Sequence, residues 1–515
     1  TTADELQHKM RQKVSSAKHK AFIILSAIFI LTAYQHINYV PLWDGRMYWV
    51  AYQRPVIELC QDCKVHPSHF HRLIYCSSQL LDPGNPKISS AINLILGLGG
   101  LAIFYKLLKH IHGEKISETE AALITFLFGF NPVFMAHIIQ PSLDYNLPIY
   151  ITAATYFLLK EKYFTASLFG LFATFTKEPG SVAYTLIVLS YILFVKKIHW
   201  KDTKKNIKNL FTLTYPTALF IIYLRFFSLY QIRNKDLLTS VLSPALNDLF
   251  DPQLAVMYLL NFNWIMTAVI LAGAAIQLHA SLKKREIRLK PNLVLFLTSS
   301  LIPLAYLLSK IRNNNNPRYM LITAPFFILL FSLFLMKTIK RKPHRTALLI
   351  ILLTLIYASA YRTIDPISKS FYGVFEFGDQ QILQMIKYVQ RNYFGRDQLV
   401  YNFEYMNLEY LTEDIVTDLG IENTYVSTHG PGVYSGPSLC LLDVENTMRM
   451  VKPDGSTYNC KTELGDEFYY IIYPIIRKHM IKEFNEEYDS VRNITYENSG
   501  YRISVIHYRK KETID

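Results

Sequence analysis

Six ionisable residues stand in this chain at places where their chemistry could be pooled. Asp44 lies in Pro41-Leu42-Trp43-Asp44-Gly45-Arg46-Met47-Tyr48-Trp49, Asp144 in Gln140-Pro141-Ser142-Leu143-Asp144-Tyr145-Asn146-Leu147-Pro148, and Lys177 and Glu178 in Lys177-Glu178-Pro179-Gly180. Arg225 and Arg318 each stand at one end of an apolar run. A partly desolvated carboxylate at Asp44 could take the proton of an attacking hydroxyl, help that is typically worth about 10² to 10⁴ in rate. The plainer reading is an Asp capping a short surface helix. Asp144 has the same two readings: a structural N-cap, or a carboxylate that orients a substrate or shares the base role. Lys177 is either a cation snorkelling to an interface or a fixed point charge for a phosphate. Arg225 and Arg318 could offer a phosphate a planar fork and steady its charge as it leaves, although either alone would suit an ordinary interfacial cation.

Composition indicates the scaffold that would hold these groups. Of 515 residues, 51% are hydrophobic and 18% charged, and the mean hydropathy is positive, +0.15. These values exclude an ordinary soluble enzyme and a disordered chain. The net charge of +14 would suggest nucleic acid in a soluble protein, but here the basic residues cluster between apolar runs, which reads as membrane topology and no nucleic-acid partner. Runs suited to membrane helices begin near Ala21, Ile88, Ala121, Leu147, Phe164, Ser181, Leu210, Leu254, Leu293, Tyr319 and Ala347, eleven in all. The first has no small-residue cleavage site after it and is expected to be retained. Two look short: Leu147 to Leu159 and Phe164 to Phe175 would each cover only about 20 Å of a core near 30 Å thick, as a broken hairpin lining a cavity could.

Alternate gaps are basic: Lys9 to Lys20, Lys106 to Lys115, Lys160 with Lys162, Lys196 to Lys208, Lys283 to Lys290 and Lys337 to Arg345. The positive-inside rule makes these cytoplasmic. The N-terminus is then expected inside, with the chain after about Tyr361 outside, in the periplasm of a bacterium or the lumen of the ER. The expected architecture is a polytopic α-helical membrane protein of about eleven transmembrane helices over 1–361. An external loop over 41–87 interrupts it, and an extracytoplasmic α/β domain over 362–515 follows. In that last domain Gln398 to Phe403 and Tyr501 to Tyr508 alternate like strands, Gln380 to Tyr393 and Tyr473 to Glu483 read as helices, and Gly430-Pro431-Gly432 and Pro453-Asp454-Gly455 mark turns. Cys440 and Cys460 could pair on the oxidising side or stay as two buried thiols. The chain shows no internal repeat and no heptads.

On this topology Asp44, Asp144, Lys177, Glu178, Arg225 and Arg318 all fall where helices emerge on the external face. A transporter or flippase would place its ionisable groups near mid-span. Acids and cations gathered at one interface suit chemistry on a lipid headgroup better. The layout resembles that of the GT-C superfamily of integral-membrane glycosyltransferases, and in particular the bacterial relatives of protein O-mannosyltransferases and the lipid A aminoarabinose transferase. The likeness rests on Asp44 after Trp43 in the first external loop, Asp144 at the start of the fourth helix, the Lys177-Glu178 turn, and Arg318-Tyr319 before an apolar span with Pro325. It covers about Ala21 to Tyr361.

The resemblance implies a polyprenyl-phosphate sugar donor drawn from the membrane, with no nucleotide. In keeping with that, the chain has no Gly-rich phosphate loop and no dinucleotide fingerprint. It further implies one inverting displacement at the anomeric carbon, with Asp44 as base and the leaving phosphate held by Lys177, Arg225 and Arg318. The acceptor stays open between a protein hydroxyl, a lipid and a surface glycan. The alternative remains a transporter or flippase without glycosyl transfer. One stretch departs from the pattern: Cys60, Cys63, His66, His69, His71 and Cys76 fall within the first external loop. Their spacing invites a divalent metal such as zinc, while an oxidising compartment favours a disulfide instead. Asn493-Ile494-Thr495 is a sequon that signifies little unless the host glycosylates.

Overall fold

The structure is a computed structural model. It describes residues 19–34, 37, 69–82, 86–131, 134–135, 137–138, 142–196, 203–226, 264–284, 298, 321–362, 419–420, 425–427, 440–442, 466–472, 481–498 and 501–511. Among these the chain is mainly helical: α1 (Lys20–Tyr34), α2 (His69–Leu81), α3 (Pro86–His112), α4 (Glu118–Gly129), α5 (Leu143–Leu159), α6 (Tyr163–Thr174), α7 (Glu178–Ser190), α8 (Thr203–Phe226), α9 (Trp264–Lys284), α10 (Ala324–Thr338) and α11 (Lys342–Arg362). Among the described residues three stretches are long and apolar enough to cross a membrane: Lys87–Lys115, Glu178–Lys196 and Leu321–Thr338. Lys20–Tyr34, Tyr163–Thr174 and Ile265–Gln277 are apolar but shorter. Of the expected runs, the one from Leu293 lies outside the described residues apart from Thr298; each of the others overlaps a described helix.

Local signals set several helix starts. Ser117 closes a capping box with Glu120 at the head of α4, satisfying two donors that the first turn leaves without intrahelical partners. Ser142 caps α5 by accepting from the Asp144 N–H at 3.3 Å. This corrects the sequence reading twice. Asp144 is not the cap but lies one residue inside the first turn, and α5 begins at Leu143, four residues before the expected start, so its 17 residues reach about 26 Å, still under a core near 30 Å thick. α6, at 12 residues, stays short. The chain turns over Phe175–Lys177, while Pro179 and Gly180 occupy the first turn of α7, where Pro is tolerated because its N–H has no helical partner.

α5 lies between α3 and α6, α8 packs on α6, α9 on α10, and α1 and α11 on α4. The core between them is aromatic. Phe134 stacks on Tyr145 with ring centres 4.9 Å apart, and Phe29 packs around Phe126, Phe130 and Phe134. Outward faces stay apolar, with Ile23, Ile24, Leu31, Leu271, Ile350 and Ile351 exposed, as a helix facing lipid would have them.

The helix directions sort the charges to two ends. At one end, Lys109 of α3 pairs with Glu118 at 2.9 Å, and Arg345 of α11 with Glu120 at 2.8 Å. His19, just before α1, meets Tyr105 there at 3.4 Å. α5 finishes at this end with Lys160, and the starts of α5 and α7 lie at the other.

Toward the C-terminus the described residues form a five-stranded sheet, β1 (Tyr425–Ser427), β2 (Cys440–Leu442), β3 (Glu467–Ile472), β4 (Tyr488–Asn498) and β5 (Tyr501–Lys510), in the order β2-β1-β3-β5-β4. A short helix, α12 (Ile481–Glu487), precedes β4. β5 matches the alternation read from Tyr501, and cross-strand partners Tyr469 and His507 stack at 4.4 Å. α12 begins within the helix expected over Tyr473 to Glu483 and runs past its end. Gln380 to Tyr393 and Gln398 to Phe403 lie outside the described residues.

Candidate functional site

The starts of α5 and α7 meet. Lys177 donates from Nζ to both oxygens of Asp144, at 2.8 and 3.0 Å. Their side chains retain only 9% and 6% of their exposure. The helix starts set the backbone of each residue: the Asp144 N–H donates to the Ser142 cap, and Lys177 precedes α7 in extended backbone with no side-chain cap. A close approach makes this possible. A Cβ on Gly180 would fall well inside contact distance of the Ala173 carbonyl oxygen and press on Leu147, so only glycine lets α7 start this near the end of α6.

The surroundings set the electrostatics. Two helix N-termini, each carrying partial positive charge, converge on one carboxylate and one ammonium. Removing either partner from so buried a pair leaves an uncompensated charge. The geometry thus places a paired cation and carboxylate at the start of two helices.

α2 covers this region. His71 is fully buried, bonds a ring nitrogen to the Ser142 carbonyl and feels the charge of Asp144. Burial holds its pKa down at about 3, aided by the charge of Arg72, against the opposing pull of Ser142 and Asp144, so the imidazole is neutral near pH 7. One turn on, Tyr75 packs its ring on His71 at 4.3 Å and donates its hydroxyl to Asn93 Oδ1. Asn93 in turn donates to the His137 carbonyl at 3.3 Å. Its own carbonyl accepts from Tyr145 at 2.9 Å, and Asn146 Nδ2 reaches the Tyr75 hydroxyl at 3.5 Å.

Of the residues singled out from the sequence, Asp144 and Lys177 are in direct contact. Glu178 opens α7 beside Lys177, half-buried. Arg225 is exposed in the last turn of α8, two residues past Tyr223, whose ring meets Phe175 at 5.6 Å; this puts it at the same end of the molecule as Lys177. Trp43, Asp44, Arg318 and Tyr319 lie outside the described residues, as do Cys60, Cys63, His66 and Cys460. Cys76 is a free thiol, raised in pKa by burial, and Cys440 lies in β2. Among the described residues no group of three His, Cys, Asp or Glu side chains could hold a metal ion.

The sequence reading did not find Tyr75, Asn93 and Asn146, and it considered His71 only with the Cys/His stretch. The spacing of His71 and Tyr75, four apart on one helix, was the available signal. Nothing local says that α2 lies over the start of α5.

No protein-family model matches the chain, and no curated protein matches it. Among solved structures it is similar to ArnT from Cupriavidus metallidurans bound to undecaprenyl phosphate, at 12% identity and a TM-score of 0.46, over 94% of this chain and 97% of that one. The apo state of the same protein gives the same values. It is also similar to the Archaeoglobus fulgidus oligosaccharyltransferase in complex with Zn and sulfate, at 13% identity and a TM-score of 0.42, over 72% of this chain and 55% of that one.

Proposed function

We propose that this chain is a membrane glycosyltransferase of the GT-C type, which moves a sugar from a polyprenyl-phosphate donor to an acceptor hydroxyl on the extracytoplasmic face. The observation that carries the reading is the buried Asp144–Lys177 contact at the end of the helices opposite Lys109, Lys160 and Arg345. A transporter path would want its ionisable groups near mid-helix, and this pair lies at helix starts.

In the proposed reaction the donor headgroup comes to the starts of α5 and α7, with its tail among the apolar helix faces. Lys177 draws the phosphate as a point charge, and Arg225 and Arg318 add to it from α8 and from the segment before α10. The acceptor oxygen attacks the anomeric carbon as the bond from that carbon to the phosphate oxygen breaks. Asp44 takes the acceptor's proton, and the polyprenyl phosphate leaves with the electron pair, so the configuration inverts. Asp144 keeps the Lys177 ammonium in place, and its carboxylate is the second candidate for the base. Trp43, Glu178 and Tyr319 support the site from its margins. The reading places the N-terminus in the cytoplasm and residues 362–515 outside, in a bacterial inner membrane or an ER membrane. It needs no nucleotide; membrane lipid and a protein, lipid or glycan acceptor are its partners.

Mass spectrometry of external glycoconjugates from cells with and without the gene tests the proposal. A sugar lost with the gene and regained on its return names both donor sugar and acceptor. An unchanged glycoconjugate profile, with the protein present in the membrane of the control, overturns the reading.

A further inference from the structure

In the proposed reaction Lys177 accounts for the donor phosphate, not for the sugar it carries. Among the described residues, the buried polar atoms left without a hydrogen-bond partner include these three: Ser90 Oγ, Asn146 Oδ1 and Tyr150 Oη. A buried polar atom in this condition costs about 1–3 kcal/mol and calls for an explanation such as a water or a ligand. Two of the three are on α5. Asn146 and Tyr150 are four residues apart and share one face of the helix. Asn146 is wholly buried and Tyr150 nearly so.

The Asn146 carboxamide is under-used in both directions. Its oxygen has no partner, and its nitrogen reaches the Tyr75 hydroxyl only at 3.5 Å, beyond the usual 2.7–3.2 Å of a protein hydrogen bond. The Tyr75 hydroxyl is meanwhile committed to Asn93. A carboxamide with a spare acceptor and a stretched donor suits a group that both gives and takes a hydrogen bond, as a sugar hydroxyl does. The place fits as well. Asn146 and Asp144 are about 200° apart round the helix axis, yet both belong to the first turn of α5, so a group lying across the helix end reaches both.

We propose that Asn146, with Tyr150 one turn further along α5, forms the subsite that reads a hydroxyl of the sugar carried on the lipid phosphate. The proposal rests on the glycosyltransfer reading and deepens it: Lys177 holds the phosphate and Asn146 the saccharide. Admitting the sugar replaces the stretched Asn146–Tyr75 contact, while the Tyr75 hydroxyl keeps its bond to Asn93.

The test measures binding of bare undecaprenyl phosphate, and of the same lipid phosphate carrying a mannosyl, glucosyl or 4-amino-arabinosyl group, to the full purified chain by native mass spectrometry. Wild type is expected to prefer one glycosylated lipid over the bare phosphate. Asn146→Ala should weaken that lipid by about tenfold, the worth of one hydrogen bond, and leave the bare phosphate unchanged. Tyr150→Phe, which removes a hydroxyl and keeps the ring, should shift the same preference if Asn146→Ala disturbs folding. Wild type that binds none of these lipids overturns the donor reading and the subsite together. Wild type that binds them all alike, variants that weaken the bare phosphate equally, or an ordered water on Asn146 with unchanged affinities overturns the subsite alone.

Discussion

Lys177 and Asp144, thirty-three positions apart in the chain, are joined by two hydrogen bonds from one ammonium to one carboxylate, and the join ties the start of α7 to the start of α5. Because both side chains are nearly sealed from water, the pair is sensitive to loss of one partner. Asp144→Asn and Lys177→Met are each expected to destabilise the purified protein by about 3–5 kcal/mol. The double variant should lose less than the sum of the two. Thermal unfolding of the three variants checks this, and additive losses would show that the contact is not energetically coupled.

Asp44→Asn keeps the size of the side chain and removes its capacity as a base. Sugar transfer is expected to fall by about 10² to 10⁴, with membrane expression unchanged. A product level equal to wild type would return Asp44 to a capping role.

Gly180→Ala is expected to destabilise by about 1–3 kcal/mol, the usual cost of overpacking, because the added carbon meets the Ala173 carbonyl and Leu147. Displacement of the first turn of α7 should also displace Lys177, so transfer falls along with stability. A variant with unaltered melting and activity would mean that α6 and α7 can separate freely.

His71 gives the stability a pH dependence of definite sign. Its pKa is about 3 in the folded chain, against an ordinary 6.5. The unfolded chain therefore takes up a proton below about pH 6.5 that the folded chain refuses until about pH 3. Stability contributed by the neutral imidazole is present above pH 6.5 and declines as pH falls between those values, by at most about 1.4 kcal/mol per pH unit for one proton. His71→Gln should flatten that part of a melting profile, and an unaltered slope would show that His71 titrates normally.

At the opposite end, Arg345 bonds Glu120 at 2.8 Å and the carbonyls of Ile339 and Lys340 at 3.1 Å, locking α11 to α4. Burial raises the Glu120 pKa, but Arg345 and Ser117 together more than reverse it, and the carboxyl stays below its ordinary value. Arg345→Met is expected to cost about 3–5 kcal/mol with KM for the lipid donor unchanged, as a clamp remote from the site should. An altered KM at wild-type stability would tie this clamp to the site.

How much of this was open to a reader of the sequence follows from the range of the forces involved. Apolar runs and basic gaps are local properties, and helices duly stand at Ile88, Ala121, Phe164 and Ser181. Helix starts depend on a residue or two, and there the hydrophobic signal misled. The apolar stretch from Leu147 hid the fact that Ser142 caps the helix five residues earlier, which turned Asp144 from a cap into a residue inside the first turn. The C-terminal hairpin of β4 and β5 was half legible, since alternation from Tyr501 is plain and that of β4, exposed and charged, is not.

Sequence alone determined the helical, apolar character of the chain, its division into two charged ends, and the presence of Asp144 and Lys177 at the same one. Tertiary structure decided that these two touch, that α2 roofs the start of α5 with His71 and Tyr75, and that Asn146 keeps an acceptor in reserve. The reason is geometric. Which end of a helix a residue occupies follows from its position in a run, whereas which neighbour it meets depends on how helices far apart in the chain pack, and the close approach at Gly180 sets that packing here.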